Sequence, residues 1–451
     1  MFKRYLLLGA FFLPLVSHAQ EIVNRDPEIE RYVKAISADS MKASVEKLVS
    51  FGSRHTMSSV TDATKGIGAA RRWTLSKFQS YAKNSGGRLT AELQSWTLKP
   101  DGRRIDKEHE IANVVATLKG TDPADDRVFV ISAHIDSRAF DIMNRDIDSP
   151  GANDDASGVA TALELARVMA QAKFPATLVF LIVSGEEQGL YGADYYAQQA
   201  VDKKWNLEAI LNNDTMGSSA GSETSVIDNT RLRVFSEGLP AYQTAEQAAT
   251  IRSIGAENDG KTRQLARYMK EVGERYVENL EVVLIYRNDR FQRGGDHTPF
   301  VNRGFAAVRI TEMNENFDHQ HQDIHTEKGK EYGDLIKFMD FEYLRKNAGV
   351  NLATLANLAK APQMPQEVKI EVKGSANYAK LNWKAPKSGK VKGYYVLMRE
   401  TYQPFWQKKF FVTDTSITLP YSRDSYFFAV QSITEGGNES LPVIPLPTGR
   451  Y

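Results

Sequence analysis

Apolar and polar positions along this chain follow two regimes, which meet near residue 365. In the first regime, short apolar runs alternate with stretches of helical spacing. DRVFVISAH (126–134) and ATLVFLIVSG (176–185) are nearly continuous apolar runs, the pattern of strands buried on both faces. Between them, SGVATALELARVMAQA (157–172) repeats its apolar residues every three to four positions and predicts a helix. LYGADYYAQQA reads as another helix, and LEAILNNDTMG (207–217) and FAAVRITEM (305–313) as further strands. Such alternation predicts crossover units, hence an α/β fold with a mostly parallel central sheet flanked by helices.

Residues 20–110 contain helical segments such as ATKGIGAARRWTLSKFQSYAKN and are expected to pack on the same domain, which would span 20–360. The charged, amphipathic stretch NDGKTRQLARYMKEVGERYVE (258–278) reads as a solvated outer helix. A helix over roughly 333–360 closes the domain, and APQMP (361–365), with two prolines, is the expected linker. From 366 to 447 the period falls to two: VKIEVKG, YAKLNWKAP, KGYYVLMRET, KKFFVTD, SITLP and SYFFAVQSITEGGNES are short strands separated by turn residues. That is the pattern of an all-β sandwich.

Composition narrows the class. With 451 residues, 42% hydrophobic and 25% charged, the chain is an ordinary globular protein too long for one core. A net charge of +1 gives no sign of a nucleic-acid partner. The first 19 residues combine a basic start, a short apolar run and SHA before Gln20, the three parts of a cleavable signal peptide. The apolar run is shorter than the roughly 20 residues of a bilayer span, so no membrane span is expected after cleavage. Removing Lys3 and Arg4 with it takes 57 basic residues to 55 against 56 acidic, a net charge of −1. The protein is therefore expected to be exported, to the periplasm or the medium. The cysteine count is zero, which excludes disulfides and thiolate metal ligands.

Chemistry-bearing residues gather at the carboxyl ends of the expected strands, where α/β sheets bind ligands. SAHIDS supplies His134 and Asp136, and GANDDASG supplies Asp154 and Asp155. VSGEEQGLYG places Glu186 and Glu187 side by side, and NNDTMG supplies Asp214. NENFDHQHQDIHTEKG carries His319, His321 and His325. Each motif alone has a plain reading: a hydrogen-bonded histidine, a turn with a helix cap, or a helix N-terminal charge pair. Adjacent acids at the mouth of a buried strand nevertheless repel each other and resist desolvation, and a cation is the term that reverses the sign. Imidazole and carboxylate ligands without thiolate suit zinc, and several carboxylates at one edge suit a two-metal centre.

HIDS, PGANDDASG, SGEEQGLYG and NNDTMG, in this order and spacing, resemble the zinc aminopeptidases related to bacterial leucyl aminopeptidase, glutamate carboxypeptidase and glutaminyl cyclase. The resemblance covers roughly residues 40–360. It implies a zinc exopeptidase-like fold holding two zinc ions per chain, with His134, Glu187 and Asp214 as ligands and Asp154 bridging. It further implies Glu186 as the general base and Asp136 behind the ligands, orienting the imidazole or a nearby acid. The last ligand in the family is a histidine followed four residues on by an acid. His319, with Asp323, fits that spacing first; His325, followed by Thr326, and His321 are its rivals. GGDHTPF resembles a pocket-shaping segment, with Asp296 and His297 outside the ligand set.

The C-terminal region resembles a fibronectin type III domain, with Trp383, Tyr394 and Tyr426 as core and Trp406 as a candidate exposed aromatic. That domain is also the candidate contact for a surface or a polymer. The resemblance thus implies an exported zinc metallopeptidase acting on peptide or protein substrates, read as an aminopeptidase. Carboxypeptidase or glutaminyl cyclase-type amide chemistry is the alternative within the enzyme class, and a noncatalytic binding protein the alternative outside it.

Overall fold

The computed structural model describes residues 25–448 apart from Tyr242, so the expected signal peptide lies outside the described residues. Eight strands build one sheet: β1 (Leu89–Leu98), β2 (His109–Leu118), β3 (Arg127–His134), β4 (Thr177–Val183), β5 (Asn206–Asn213), β6 (Arg231–Phe235), β7 (Glu281–Ile285) and β8 (Ala307–Glu312). Their spatial order is β1-β2-β4-β3-β5-β8-β6-β7. The four central strands β4, β3, β5 and β8 run parallel. At the edges, β1 pairs antiparallel with β2, β2 with β4, and β6 with β8. The sheet is therefore mixed around a parallel core. β1 lies in a region read as containing helical segments, and β2 in the stretch just after it, to which no element was assigned. β1 alternates weakly because it is an edge strand, and the apolar run IANVVATL of β2 falls between the helical segments and the strand at 126–134.

Helices cover both faces unequally. On one face lie α1 (Pro27–Lys34), α2 (Ala38–Val49), α3 (Gly66–Ala82) and α4 (Ala156–Met169). The chain later returns to this side with α8 (Lys261–Tyr276) and α10 (Phe341–Lys360). Ile29, Met41, Val45 and Leu48 from the first two helices share a core with Phe129, Ile131, Phe180 and Ile182 of the sheet. The N-terminal helices are thus part of the main core. The smaller second core lies under α6 (Tyr191–Asp202) and the one-turn α9 (Thr298–Val301), where Tyr196 and Phe300 meet Val130, Val179 and Ile210. The remaining elements before α10 are the one-turn α5 (Glu186–Gly189), the exposed α7 (Ala245–Ile254), a hairpin of β9 (His325–Glu327) and β10 (Lys330–Tyr332), and a 3-10 turn at Ile336–Phe338.

Beyond α10, seven strands form two sheets. The order β15-β12-β11-β17 joins Ser416–Leu419, Ala379–Lys384, Gln366–Glu371 and Leu446–Thr448. The order β14-β13-β16 joins Lys408–Val412, Gly393–Glu400 and Tyr426–Ile433. The sheets share a core in which Trp383 packs edge-on against Tyr394 at 5.3 Å between ring centroids. Trp406 is half-buried, with the Arg399 guanidinium 5.4 Å from its ring centre.

The stretch expected as a solvated helix is instead a wedge between the two parts. Leu265, Met269 and Val272 of α8 face the main core. Its polar side meets the sandwich: Arg267 and Arg399 both bond to Asp259, at 2.6 Å each. Arg275 and Lys409 converge on the fully buried carboxylate of Glu439. Charges on this stretch read as solvent-facing because the sandwich partners of Asp259 and Arg275, Arg399 and Glu439, lie more than a hundred residues away.

Candidate active site

The parallel strands end where the chemistry gathers. β3 ends at His134, β4 leads through Ser184 and Gly185 into α5, and β5 runs into Asp214. Gly185 turns the chain at φ 81°, and a Cβ there would sit 2.8 Å from Ile111 Cδ1, so this turn requires glycine. Asp155 caps α4 by accepting from Gly158 N (2.9 Å) and also accepts the His134 amide (3.1 Å), tying helix start to strand end.

Two groups of potential ligands form there: His134, Asp154 and Asp214, and Asp154, Glu187 and His321. Within each group the ligand atoms lie within 4.8 Å of one another. Asp154 belongs to both, with Oδ1 3.1 Å from His134 Nε2 and Oδ2 3.0 Å from His321 Nε2. His321 Nε2 is also 3.0 Å from Glu187 Oε1. Yet His134 Nε2 and Glu187 Oε1, both buried, make no aligned hydrogen bond, which is costly for polar atoms away from water. Burial opposes charge on His321, but Glu187 and Asp154 outweigh it and raise its pKa to about 10. Burial likewise opposes charge on His134, and Asp154, Asp155 and Glu186 overcome it. Both shifts reflect a concentration of negative charge that a bound cation would offset. Oxygen and imidazole donors in two groups around one shared carboxylate fit a pair of zinc-like ions.

The expectation of His319 as the last ligand is corrected. Its ring stacks on Phe338 at 3.7 Å, and its presumed supporting acid, Asp323, instead accepts the Phe140 amide at 3.0 Å. His325 is exposed on β9 and stacks on Tyr332. The backbone enters the left-handed region at His321 (φ 56°), and the side chain brought against Asp154 and Glu187 is that of His321. Spacing to an acid failed as a guide because the acid serves a different loop.

Glu186 lies beside both ligand groups and belongs to neither. Burial pushes its pKa well above the usual carboxylate range, and Glu187, Asp296 and Asp214 add to this. Of the two expected roles for Asp136, orienting the imidazole or a nearby acid, its contacts fit the second. Its carboxylate stays 3.8 Å from His134 Nδ1, which faces the Asp136 main-chain oxygen at 3.0 Å. The carboxylate instead accepts the amides of Gly185 (3.0 Å), Glu186 (3.3 Å) and Glu187 (3.1 Å), and the Thr56 hydroxyl (2.8 Å). It orients the acids through their backbone. Asp296 and His297 are buried beside the site; burial pushes Asp296 up to about 8, and neither of its oxygens has a hydrogen-bond donor. Asp214 is paired with Arg309 Nη1 at 2.9 Å.

Sequence reading missed Arg54, Thr56, Gln320, Arg309 and Asp334. Gln320 donates to Asp154 Oδ2 at 2.8 Å, and Arg54, Thr56 and Asp334 reach the site from segments outside the four motifs. The only available hint was the polar FGSRHT run between two helices.

A parallel strand-end site with two groups of oxygen and imidazole donors fits a metal centre in an α/β protein. The family model for peptidase family M28 matches residues 113–333. A probable zinc metalloprotease of Leptosphaeria maculans is 45% identical over 423 residues, covering 94% of this chain and 97% of that one. A probable zinc metalloprotease of Pyrenophora tritici-repentis is 43% identical over 426 residues, covering 94% and 87%. The chain belongs to peptidase family M28. The fold is that of the Legionella pneumophila LapA aminopeptidase, with a TM-score of 0.52 at 18% identity over 76% of this chain and 77% of that one.

Proposed function

We propose that this protein is an exported zinc aminopeptidase that binds two zinc ions and releases N-terminal residues from peptides. The observation that carries the reading is Asp154, whose two oxygens face two separate ligand groups. His134 and Asp214 would hold one ion, Glu187 and His321 the other, with Asp154 between them. When bound, the ions supply polarisation of the scissile carbonyl and acidification of water. Glu186 takes the proton from the attacking water and passes it to the leaving amine, a task suited to a buried carboxylate whose pKa is raised above the usual range, which makes it the stronger base. Asp136 keeps Glu186 and Glu187 at their separate posts through the backbone amides it accepts. Asp296 and His297 wall the pocket.

Aminopeptidase action is favoured over carboxypeptidase action by the charges around the site. Arg309 already faces Asp214 and Asp289, Arg290 faces Asp289 and Glu315, and Arg293 faces Glu315, so these cations are matched by acids before a C-terminal carboxylate arrives. Among the described residues no helix is long and apolar enough to cross a membrane. The C-terminal sheets complete the proposal as a fibronectin type III-like domain that braces α8. The test compares wild type with Glu186→Gln on free and N-acetylated peptides, alongside metal analysis. Two zinc ions per chain in both proteins, cleavage of free peptides only, and at least about 100-fold lower kcat in the variant are expected. Zinc lost together with activity would make Glu186 a ligand, and cleavage of the blocked peptide would remove the aminopeptidase reading.

A further inference from the structure

The loop that carries Asp154 is gripped from two sides by charged side chains that touch none of the candidate ligands' own side-chain oxygens. Arg54 is fully buried. Its Nε donates to Ile135 O at 2.8 Å, its Nη2 to Gly151 O at 2.9 Å, and its Nη1 to Pro150 O. It reaches these carbonyls from the segment between α2 and α3. Asp334, buried at 8% exposure, reaches the same loop from beyond β10. Its carboxylate accepts Asn153 N at 2.8 and 3.0 Å and Asp154 N at 2.7 Å, and its main-chain oxygen accepts Ala152 N at 3.3 Å. A cation therefore collects carbonyls and an anion collects amides over five consecutive residues. Gly151 between them is left-handed (φ 52°), and a Cβ there would lie 2.4 Å from Asp154 O and 3.0 Å from Arg54 Nη2. The loop has no slack in which to relax.

We infer that Arg54 and Asp334 are paired positioning residues for the metal centre, setting where the Asp154 carboxylate stands by holding its backbone from opposite sides. The inference rests on the two-metal reading of Asp154. Hydrogen bonds behind ligands tune metal affinity by roughly 10- to 100-fold. Because Asp154 is shared, loosening its backbone should weaken both ions together, whereas loss of a terminal ligand should weaken one first. Asp334→Asn is the sharp variant: it is isosteric, keeps one accepting oxygen, and turns an amide donor toward Asn153 N or Asp154 N. Arg54→Lys keeps the charge and reaches fewer of the carbonyls.

The experiment loads metal-free, full-length wild type, Asp334→Asn and Arg54→Lys with cobalt(II). Visible absorption reports the coordination of each ion, chelator competition the affinities, and thermal melting of the metal-free forms the fold. The expected result is affinity for both ions about 10- to 100-fold lower in Asp334→Asn, with altered cobalt bands and a smaller change in Arg54→Lys. A folded Asp334→Asn with wild-type affinities and bands overturns the inference, even if it melts earlier. If that variant does not fold, wild-type affinities and bands in Arg54→Lys overturn it equally. Wild type that takes up no cobalt overturns the two-metal reading itself, a result separable from failure of the clamp alone.

Discussion

Replacing Asp136 by Asn tests whether catalysis depends on a carboxylate that touches neither metal ligand side chains nor, on this reading, the substrate. Oδ1 accepts the amides of Gly185 and Glu186, and Oδ2 accepts the Glu187 amide and the Thr56 hydroxyl. An asparagine keeps one oxygen and puts an NH2 group at the other place. Its least costly orientation leaves the oxygen with Gly185 and Glu186 and sets the NH2 against Glu187 N, since Thr56 can turn its hydroxyl toward Gln188 Oε1, 2.7 Å away. One buried donor is then unsatisfied, at about 1–3 kcal/mol, and two charge-assisted bonds become neutral ones, at about 0.5–1 kcal/mol each. The sum is about 3 kcal/mol, applied to the turn that aims Glu186. If most of it is felt as misplacement of the base, kcat falls by about 100-fold with KM little changed. Steady-state kinetics on an unblocked peptide substrate, with melting and zinc content measured on the same samples, read this out. A folded, zinc-loaded Asp136→Asn variant with kcat within about threefold of wild type would refute the reasoning, because the four hydrogen bonds would then have no bearing on where Glu186 stands.

Three further predictions concern the last ligand, the interface and its pH dependence. His321→Ala should lose tightly held zinc and activity, whereas His319→Ala and His325→Ala should keep both; metal analysis of the three variants decides, and zinc loss in His319→Ala would sink the assignment. Glu439→Ala removes the fully buried anion of Arg275 and Lys409 and leaves them only the partly exposed Glu271, and breaking such a buried pair costs up to about 3–5 kcal/mol, measurable by denaturant unfolding. The same carboxyl sets a pH dependence. Burial raises its pKa, but Arg275 and Lys409 outweigh that and hold it far below the ordinary range. A depressed folded pKa means the stabilisation is fully present above the unfolded value of about 4.3 and is lost as pH falls below it toward the folded pKa. The wild-type melting temperature should therefore drop more steeply between about pH 5 and pH 2.5 than that of Glu439→Gln; parallel curves would remove Glu439 from the account.

The site was legible in the sequence wherever its residues sit within a few positions of a strand end. His134, Glu186, Glu187 and Asp214 directly follow or close apolar runs, and Asp154 sits in a run of turn and cap residues that opens a helix. Strand direction alone then brings them to one edge of the sheet. The all-β pattern after residue 366 was equally plain, because short strand-like runs follow one another between turn residues and some, such as AKLNWK, alternate strictly. What the tertiary structure decided lies where partners come from distant segments. That His321, and neither His319 nor His325, meets Asp154 and Glu187 depends on a left-handed backbone residue and on a stacking partner, Phe338, that spacing does not reveal. The charged face of α8 looks solvated until Asp259, Arg399 and Glu439 are folded against it. Arg54 and Asp334, 280 residues apart, carry no local signature, since each one's role is defined only by backbone atoms that the fold carries to it. Local pattern selects elements and strand ends; which buried charges meet there is settled by long-range packing, because a buried charge is tolerated only where the complete fold supplies its partners.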